Sequence, residues 1–139
     1  MESLKLTDHI SFISWANAED LKKILSATDV FVYPSLSYGG WEEQFGYSMA
    51  EASLMGLPII STKSGSISEV VIDGETGIIV EPDQSDELNK AMIRLAQDGE
   101  LRTRLGQNGR NYIKNNYSYQ VVANKFYNFF KSLRSSTSK

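Results

Sequence analysis

Two glutamates, Glu43 and Glu51, flank the predicted start of a helix at residues 46–55. Glu51 lies about five residues inside that helix, roughly 7–8 Å along its axis. The first backbone N–H groups of a helix have no partner within it and bind phosphate groups. Gly46 has no side chain, so a ligand can approach the backbone closely at this point. The segment therefore combines two carboxylates with an anion-binding helix end.

The order of these polar groups matches the parts of a nucleotide sugar. A carboxylate at Glu43 accepts hydrogen bonds from sugar hydroxyls, and the amides of residues 45–48 hold a diphosphate. A carboxylate at Glu51 accepts both hydroxyls of a ribose. A simpler interpretation is that both glutamates are solvated charges around a helix that packs in the core. The spacing of the two glutamates leaves both interpretations open.

Short apolar runs predict four β-strands, at residues 10–14, 30–33, 59–62 and 78–80. They alternate with helical patterns, an arrangement that forms parallel βαβ units. The sequence therefore predicts an α/β fold, a Rossmann-like parallel sheet flanked by helices. A doubly wound sheet usually has about five or six strands, so we expect part of this one to be missing.

Ligands of an open parallel sheet bind where its strands end. The loop after residues 30–33 carries Glu43, and the loop after residues 59–62 is Lys63-Ser-Gly-Ser66. Both loops are expected at the same edge of the sheet.

Helices capped by Asn17 and Ser85 are predicted at residues 18–27 and 85–96. Two more helices are predicted at residues 101–115 and 119–133. The last has one apolar face, formed by Val122, Phe126, Phe129, Phe130 and Leu133.

The composition excludes some kinds of site and limits the expected partners. The 139 residues hold no cysteine and one histidine, His9, which excludes disulfides and thiolate metal sites and leaves no visible metal-ligand cluster. Net charge is −3, but residues 100–139 hold one acidic and eight basic side chains. A peripheral contact with a membrane surface is one interpretation of this basic tail, and a solvated helix face is the other. The tail has no aromatic-interleaved basic run of the kind that binds RNA, so nucleic acid is not an expected partner.

The glutamate pair and four flanking motifs, in a fixed order, form a family pattern. They are Val-Phe-Val-Tyr-Pro-Ser at residues 30–35, Glu43-x7-Glu51-Ala, Gly-Leu-Pro-Ile-Ile-Ser at 56–61, Gly65-x3-Glu-Val-Val and Asp73-Gly-x-Thr-Gly. Together they resemble the C-terminal domain of retaining glycosyltransferases of the two-Rossmann GT-B fold, glycosyltransferase family 4 or group 1. The resemblance covers nearly the whole chain.

The resemblance implies a role for each residue of the site. Glu43 would bind the donor sugar at the reacting centre and is the catalytic candidate, and Glu51 would bind the ribose. The remaining donor sugar and diphosphate contacts would come from Phe45, Gly46, Tyr47, Ser48, Gly65 and Ser66. The family's transfer retains anomeric configuration and typically needs no metal, so the resemblance implies a nucleotide-sugar substrate without a cofactor.

The chain departs from the family pattern in three places. The segment between Pro34 and Glu43 is several residues longer than usual and contains Tyr-Gly-Gly-Trp at 38–41, which either shapes a sugar or acceptor pocket or is a surface loop. The usual Gly-Gly-x-Pro-Glu is Gly-Ser-Ile-Ser-Glu at residues 65–69, where the Ser66 side chain narrows the approach to its amide. The family's Arg and Lys, which neutralise the diphosphate, lie upstream of the region covered.

The resemblance also implies an organisation. Residues 1–116 would form a partial Rossmann-like nucleotide-sugar-binding domain, the incomplete C-terminal half of a GT-B fold. Residues 117–134 would form a helix that crosses back toward a missing N-terminal acceptor domain, and residues 135–139 a disordered tail. We expect a cytoplasmic enzyme whose isolated fragment is inactive. A sugar-nucleotide epimerase fragment and a non-catalytic α/β interaction module are the alternatives.

Overall fold

A computed structural model describes residues 6–136, with side chains through Arg134. Within this part of the chain, one sheet contains three parallel strands in the order β1 (Phe31–Tyr33), β2 (Ile59–Thr62) and β3 (Gly77–Val80). Phe31 is level with Ile59, and Ile59 is level with Gly77. Because the strands start level, their carboxyl ends meet at one edge of the sheet.

Helices alternate with these strands and then follow them. The helix α2 (Tyr47–Leu54) joins β1 to β2, and the short helix α3 (Ile67–Val70) joins β2 to β3. The predicted α/β fold with a parallel sheet and flanking helices is confirmed. Over the described residues the helices are α1 (Ala18–Ser26), α2 (Tyr47–Leu54), α3 (Ile67–Val70), α4 (Ser85–Gln97), α5 (Gly99–Tyr117) and α6 (Tyr119–Ser136), with a 3₁₀ turn at Thr7–His9.

The central strand β2 supplies both halves of the core. Its side chains point alternately to the two faces of the sheet. Ile59 packs on one face with Met49 of α2 and Ile113 of α5, whereas Ile60 packs on the other with Leu95 of α4. All four β2 residues are buried. Helices therefore cover both faces, which explains why β2 is buried along its whole length rather than at alternate residues.

The helix α5 packs closely on the end of α2. A Cβ added at Gly106 would lie 1.9 Å from the carbonyl oxygen of Gly56, two residues after the end of α2. Two residues farther on, the Asn108 side-chain amide donates to the Glu75 carbonyl, in the turn before β3, at 3.0 Å. Helix α5 is therefore held against both the carboxyl end of α2 and the turn before β3.

The strand predicted at residues 10–14 is wrong, since this segment pairs with no strand within residues 6–136 and has a bend at Ser14. Its side chains are exposed, and Phe12 keeps 78% of its surface in solvent. Apolar alternation is a local signal, but a strand forms only when a neighbour accepts its hydrogen bonds. No strand of the described residues lies beyond β1 at that edge.

The two predicted helix caps have different outcomes. The Asn17 side chain accepts a hydrogen bond from the Asp20 amide at 2.9 Å, so the cap of α1 is confirmed. The cap of α4 is wrong, because Gln84 holds the capping position and Ser85 is already helical. Asp83 just before it has a positive φ of 59°, which shifts the turn into the helix by one residue.

The last helix, α6, has no fully buried residue among its described side chains. Its predicted apolar face remains in solvent at Phe126, Phe129 and Phe130. The helix continues through Ser136, past the boundary predicted at 134, and residues 137–139 of the predicted tail lie outside the described residues.

None of the helices within residues 6–136 is long and apolar enough to cross a membrane. A peripheral membrane contact stays a prediction.

Replacing Gly106 with alanine should destabilise the fold, since the new methyl group meets backbone atoms that cannot move without displacing α2. We expect the free energy of unfolding, measured in urea, to fall by about 1–3 kcal/mol. Gly99→Ala is the matched control on the same helix, because its nearest neighbour is the flexible Arg102 side chain at 3.6 Å. Equal stability of the two variants would contradict the close packing of α5 on α2.

Candidate functional site

The loops that follow β1 and β2 are tied together at the carboxyl edge of the sheet. The Ser61 hydroxyl donates to the Tyr33 carbonyl at 2.7 Å, and the Thr62 hydroxyl donates to the Ser35 carbonyl. Farther from the sheet, the hydroxyls of Ser37 and Ser64 are 2.9 Å apart. The polar residues at the end of β2 therefore hold the longer loop in place.

Glu43 meets the second loop through its backbone. The Ser66 amide donates to the Glu43 carbonyl at 2.9 Å. Gly65 has a φ of +50°, and a Cβ there would lie 2.1 Å from the same carbonyl oxygen. Only glycine fits this contact, because any side chain would push the two loops apart. The structure thus brings Glu43, Gly65 and Ser66 together, with the Ser66 amide occupied by Glu43.

The Glu43 carboxylate is hydrogen-bonded on both oxygens. Its Oε2 accepts from the Tyr33 hydroxyl at 2.6 Å. Its Oε1 accepts from the Gly46 amide at 2.9 Å and the Gln44 amide at 3.1 Å, with the Phe45 amide farther off at 3.4 Å. The Tyr33 hydrogen bond and then these amides lower the pKa of Glu43, against the opposing effect of burial. Glu43 is therefore ionised at neutral pH.

Tyr33 is the residue of this site that the sequence did not reveal. Its pKa is raised, first by the hydrogen bond to Glu43 and then by burial, while a hydrogen bond with Ser48 acts in the opposite direction. The sequence indicated a packing residue at the end of a strand, or a residue that flanks the nucleotide base, but not a partner of Glu43. A strand pattern gives the face on which a side chain lies, but not a hydroxyl contact with a loop residue ten positions later.

The amides predicted to bind a diphosphate fall into two pairs. Gly46 is the N-cap of α2 with a φ of 74°, and its amide, like that of Phe45, points at the Glu43 carboxylate. The amides of Tyr47 and Ser48 make no hydrogen bond to any described residue. The helix end consequently offers two open donors and two that Glu43 already uses.

Glu51 lies on the outer surface of the same helix. It is four residues after Tyr47, the first residue of α2, and thus about 6 Å along the axis and on the same side. Both residues are exposed, and Tyr47 keeps 78% of its surface in solvent. Within the described residues the Glu51 carboxylate has no hydrogen bond or ion pair. A carboxylate and an aromatic ring therefore lie next to the open amides.

The lengthened part of the first loop is a small hairpin. Tyr38 and Trp41 exchange backbone hydrogen bonds of 3.1 and 2.9 Å. Gly39 and Gly40 between them have φ values of 60° and 81°. Two consecutive positive φ angles identify a two-residue turn of the type that suits the twist of a hairpin. The segment is an ordered turn rather than an irregular surface loop.

Charges around the site are mainly negative. Glu42 is exposed next to Glu43, and Lys63 in the second loop pairs with Glu81 at 3.7 Å. Among the residues described, no group of three or more histidine, aspartate or glutamate side chains is arranged to hold a metal ion. The amino end of α2 adds partial positive charge at this edge.

Comparison with known proteins identifies the family. Residues 1–112 match the family described as glycosyl transferases group 1. The chain belongs to this family. Among curated members, it is 28% identical over 129 residues to a GDP-mannose-dependent monoacylated alpha-(1-6)-phosphatidylinositol monomannoside mannosyltransferase of Corynebacterium glutamicum, covering 91% of this chain and 34% of the relative.

Solved structures share the fold. A sucrose-phosphate synthase from Thermosynechococcus elongatus superposes with a TM-score of 0.81 at 28% identity, over 97% of this chain and 33% of that one. Anabaena HepE in complex with UDP-glucose gives a TM-score of 0.81 at 21% identity, over 94% of this chain and 34% of that one. These GT-B enzymes confirm the predicted fold class. The group 1 chain spans about a third of the length of the relatives it matches.

The hydrogen bond between Tyr33 and Glu43 predicts a shift that can be measured. In Tyr33→Phe, Glu43 loses the donor that favours its ionised form most, so its pKa should rise. Carbon-13 NMR of labelled glutamate carboxylates would measure the shift. Tyr112→Phe is the control, because that hydroxyl donates to the Glu69 carbonyl at 3.0 Å and should leave Glu43 unchanged.

The hydrogen bond between Tyr33 and Glu43 also determines how the stability of the fold changes with pH. A depressed folded-state pKa stabilises the protein above the unfolded value of 4.5, and this contribution is lost as pH falls through the folded pKa. Tyr33→Phe should therefore reduce the difference in stability between neutral and acidic pH. An unchanged Glu43 pKa in this variant would show that the tyrosine does not set the charge of the site.

Proposed function

We propose that this chain forms the donor-binding part of a retaining glycosyltransferase that moves a sugar from a nucleotide diphosphate sugar to a glycan or lipid-linked acceptor. One observation carries the proposal. The ionised Glu43 just before α2 is followed along the chain by the open amides of Tyr47 and Ser48 in its first turn, and then by the solvent-facing Glu51 about one turn farther on. A sugar, a diphosphate and a ribose need those three kinds of partner in that order.

The diphosphate would bind at the first turn of α2. The Tyr47 and Ser48 amides are open, and the helix dipole favours negative charge at this end. The Phe45 and Gly46 amides become available when the Glu43 carboxylate turns away from them. Positive partial charge held here also stabilises the leaving nucleoside diphosphate, whose negative charge grows as the bond to the sugar breaks.

Glu43 would act on the sugar. As an ionised carboxylate it accepts hydrogen bonds from sugar hydroxyls, and its lowered pKa keeps it in that form. Glycosyl transfer passes through a state with oxocarbenium character, so a fixed negative charge at the reacting centre stabilises it. Tyr33 holds this carboxylate from the opposite side at 2.6 Å. Retention of anomeric configuration follows from the family resemblance and is part of the proposal.

The relatives support a nucleotide-sugar donor. One is named for its use of GDP-mannose, and a structure of the same fold contains UDP-glucose. Family membership favours the transferase over an epimerase fragment or a non-catalytic interaction module. The acceptor would be bound mainly by a partner domain, since relatives are about three times as long as this chain. We therefore expect no measurable sugar transfer by the isolated chain. Its affinity for nucleotides and nucleotide sugars can still be measured.

Glu51→Ala tests the ribose contact. Calorimetric titration with UDP, GDP, UDP-glucose and GDP-mannose should give weak binding of one nucleotide series. The variant should weaken nucleotide and nucleotide sugar alike, by about tenfold or more, since two hydroxyls lose a charged acceptor. Glu100→Ala, an exposed glutamate on α5, is the control. Undiminished nucleotide binding in Glu51→Ala would remove Glu51 from the site.

Glu43→Gln separates the sugar from the nucleotide. This variant keeps the size of the side chain but loses its charge, so the gain in affinity that the sugar adds to the nucleoside diphosphate should shrink. Affinity for UDP or GDP alone should stay the same or rise, because a negative charge beside the diphosphate is removed. Calorimetry with each nucleotide and its sugar conjugate gives both quantities. An equal loss for nucleotide and conjugate would contradict a role of Glu43 at the sugar.

A further inference from the structure

The hairpin at residues 38–41 presents two aromatic rings on one side. Tyr38 and Trp41 exchange both backbone hydrogen bonds, so they are directly opposite each other. Opposite residues of an antiparallel pair project to the same face. The positive φ angles of Gly39 and Gly40 fix the turn, since residues with a side chain rarely adopt them in succession.

These rings contribute little to the packing of the described chain. Tyr38 keeps 87% of its surface in solvent and Trp41 keeps 58%. Neither ring stacks on another aromatic ring of the described residues, whereas Phe45 packs against Tyr47 and Tyr117. Single exposed aromatic residues are ordinary, but a rigid turn that holds two of them on one face forms a small apolar platform.

The platform is attached to the donor site at both ends. Ser37, just before Tyr38, is hydrogen-bonded to Ser64 in the second loop at 2.9 Å. Trp41 is two residues before Glu43, whose backbone is held by Ser66. Along this loop, Glu43 separates the hairpin from the amino end of α2. The platform thus precedes Glu43 in the chain, whereas the proposed diphosphate contacts at Tyr47 and Ser48 follow it.

We propose that this face of the hairpin stacks against a pyranose ring of the acceptor glycan, an inference that rests on the proposed transferase function. One face of a pyranose consists of C–H groups with partial positive charge, which complement the negative face of an aromatic ring. The donor sugar has its own partner in Glu43. A platform tied to the loop just before Glu43 is suited to the sugar that receives the transferred group, since the proposed diphosphate and ribose contacts follow Glu43 in the chain.

Two tryptophans make the test direct, because Trp15 and Trp41 each give one indole N–H signal in a nitrogen-15 spectrum. Trp15→Phe assigns the Trp41 signal. The probes are maltotriose and α-1,6-mannobiose as acceptor sugars, UDP-glucose and GDP-mannose as donors, and UDP and GDP alone. The Trp41 signal should move with an oligosaccharide in the absence of nucleotide. Saturation transferred from the aromatic protons should reach mainly the C–H face of one pyranose.

Substitutions test whether the Trp41 signal reports oligosaccharide binding at the platform. Trp41→Ala should weaken oligosaccharide binding by about tenfold, whereas Trp15→Ala, which removes an even more exposed ring outside the hairpin, should not. Gly39→Val keeps both rings but is strained at its positive φ, so it should also weaken binding. Neither Trp41→Ala nor Gly39→Val is expected to change the affinity for UDP or GDP.

Three results would overturn the proposal. Movement of the Trp41 signal with donor sugars but not with oligosaccharides would assign the platform to the donor sugar. No movement with any sugar, while nucleotide binding still depends on Glu51, would remove the platform from the site and leave the proposed function intact. A dimer in sedimentation that Trp41→Ala converts to monomer would make the hairpin a contact between copies of the chain. Loss of all nucleotide binding, by contrast, would count against the proposed function itself.

Discussion

The contact between the backbone of Glu43 and the Gly65–Ser66 turn is the constraint on which the site depends. One hydrogen bond of this kind contributes only about 0.5–1.5 kcal/mol net. The steric requirement is stronger, because a side chain at Gly65 would place an atom 2.1 Å from the Glu43 carbonyl oxygen. With that contact in place, the loops after β1 and β2 form one surface. The Glu43 carboxylate can then reach both Tyr33 at the end of its own strand and the first amides of α2.

In this arrangement, the Glu43 carboxylate competes with an anion for the same backbone amides before α2. Its carboxylate occupies the Gly46 amide and approaches that of Phe45, and its charge repels a phosphate at the same helix end. A free phosphate or diphosphate would meet that repulsion without compensation. In the proposed complex, a nucleotide sugar would bring hydroxyl donors that satisfy the displaced carboxylate, so its sugar would offset part of the repulsion felt by its diphosphate. Under the proposed function, the site would therefore favour the complete donor over its anionic part.

The sequence predicted those parts of the fold whose signals are local. Strand β2 has its predicted bounds, Ile59–Thr62, because four buried apolar or small residues follow a glycine and a proline that end α2. Asn17 caps α1 through a residue three positions away. The strand at residues 10–14 was wrong because pairing needs a partner that the pattern of one segment does not reveal. The role of Tyr33 was missed for the same reason, as its hydroxyl contacts a residue outside the strand.

The site lies on the well-packed centre of the fold, whereas the two ends of the described chain are less well packed. Phe12, Ile13 and Trp15 lie exposed before α1, and the aromatic side chains of α6 lie exposed after α5. Each would contribute roughly 1.5–3 kcal/mol if it were fully buried, and here that stabilisation is largely absent. Strand β2 and helices α2 and α5, in contrast, contain fully buried residues such as Met49, Ile59 and Leu105. Local opening is easiest where few apolar contacts are lost, so it should begin at the two ends of the described chain. The amino end of α2 is attached to the well-packed centre, which keeps the Glu43 contacts in place while the ends open.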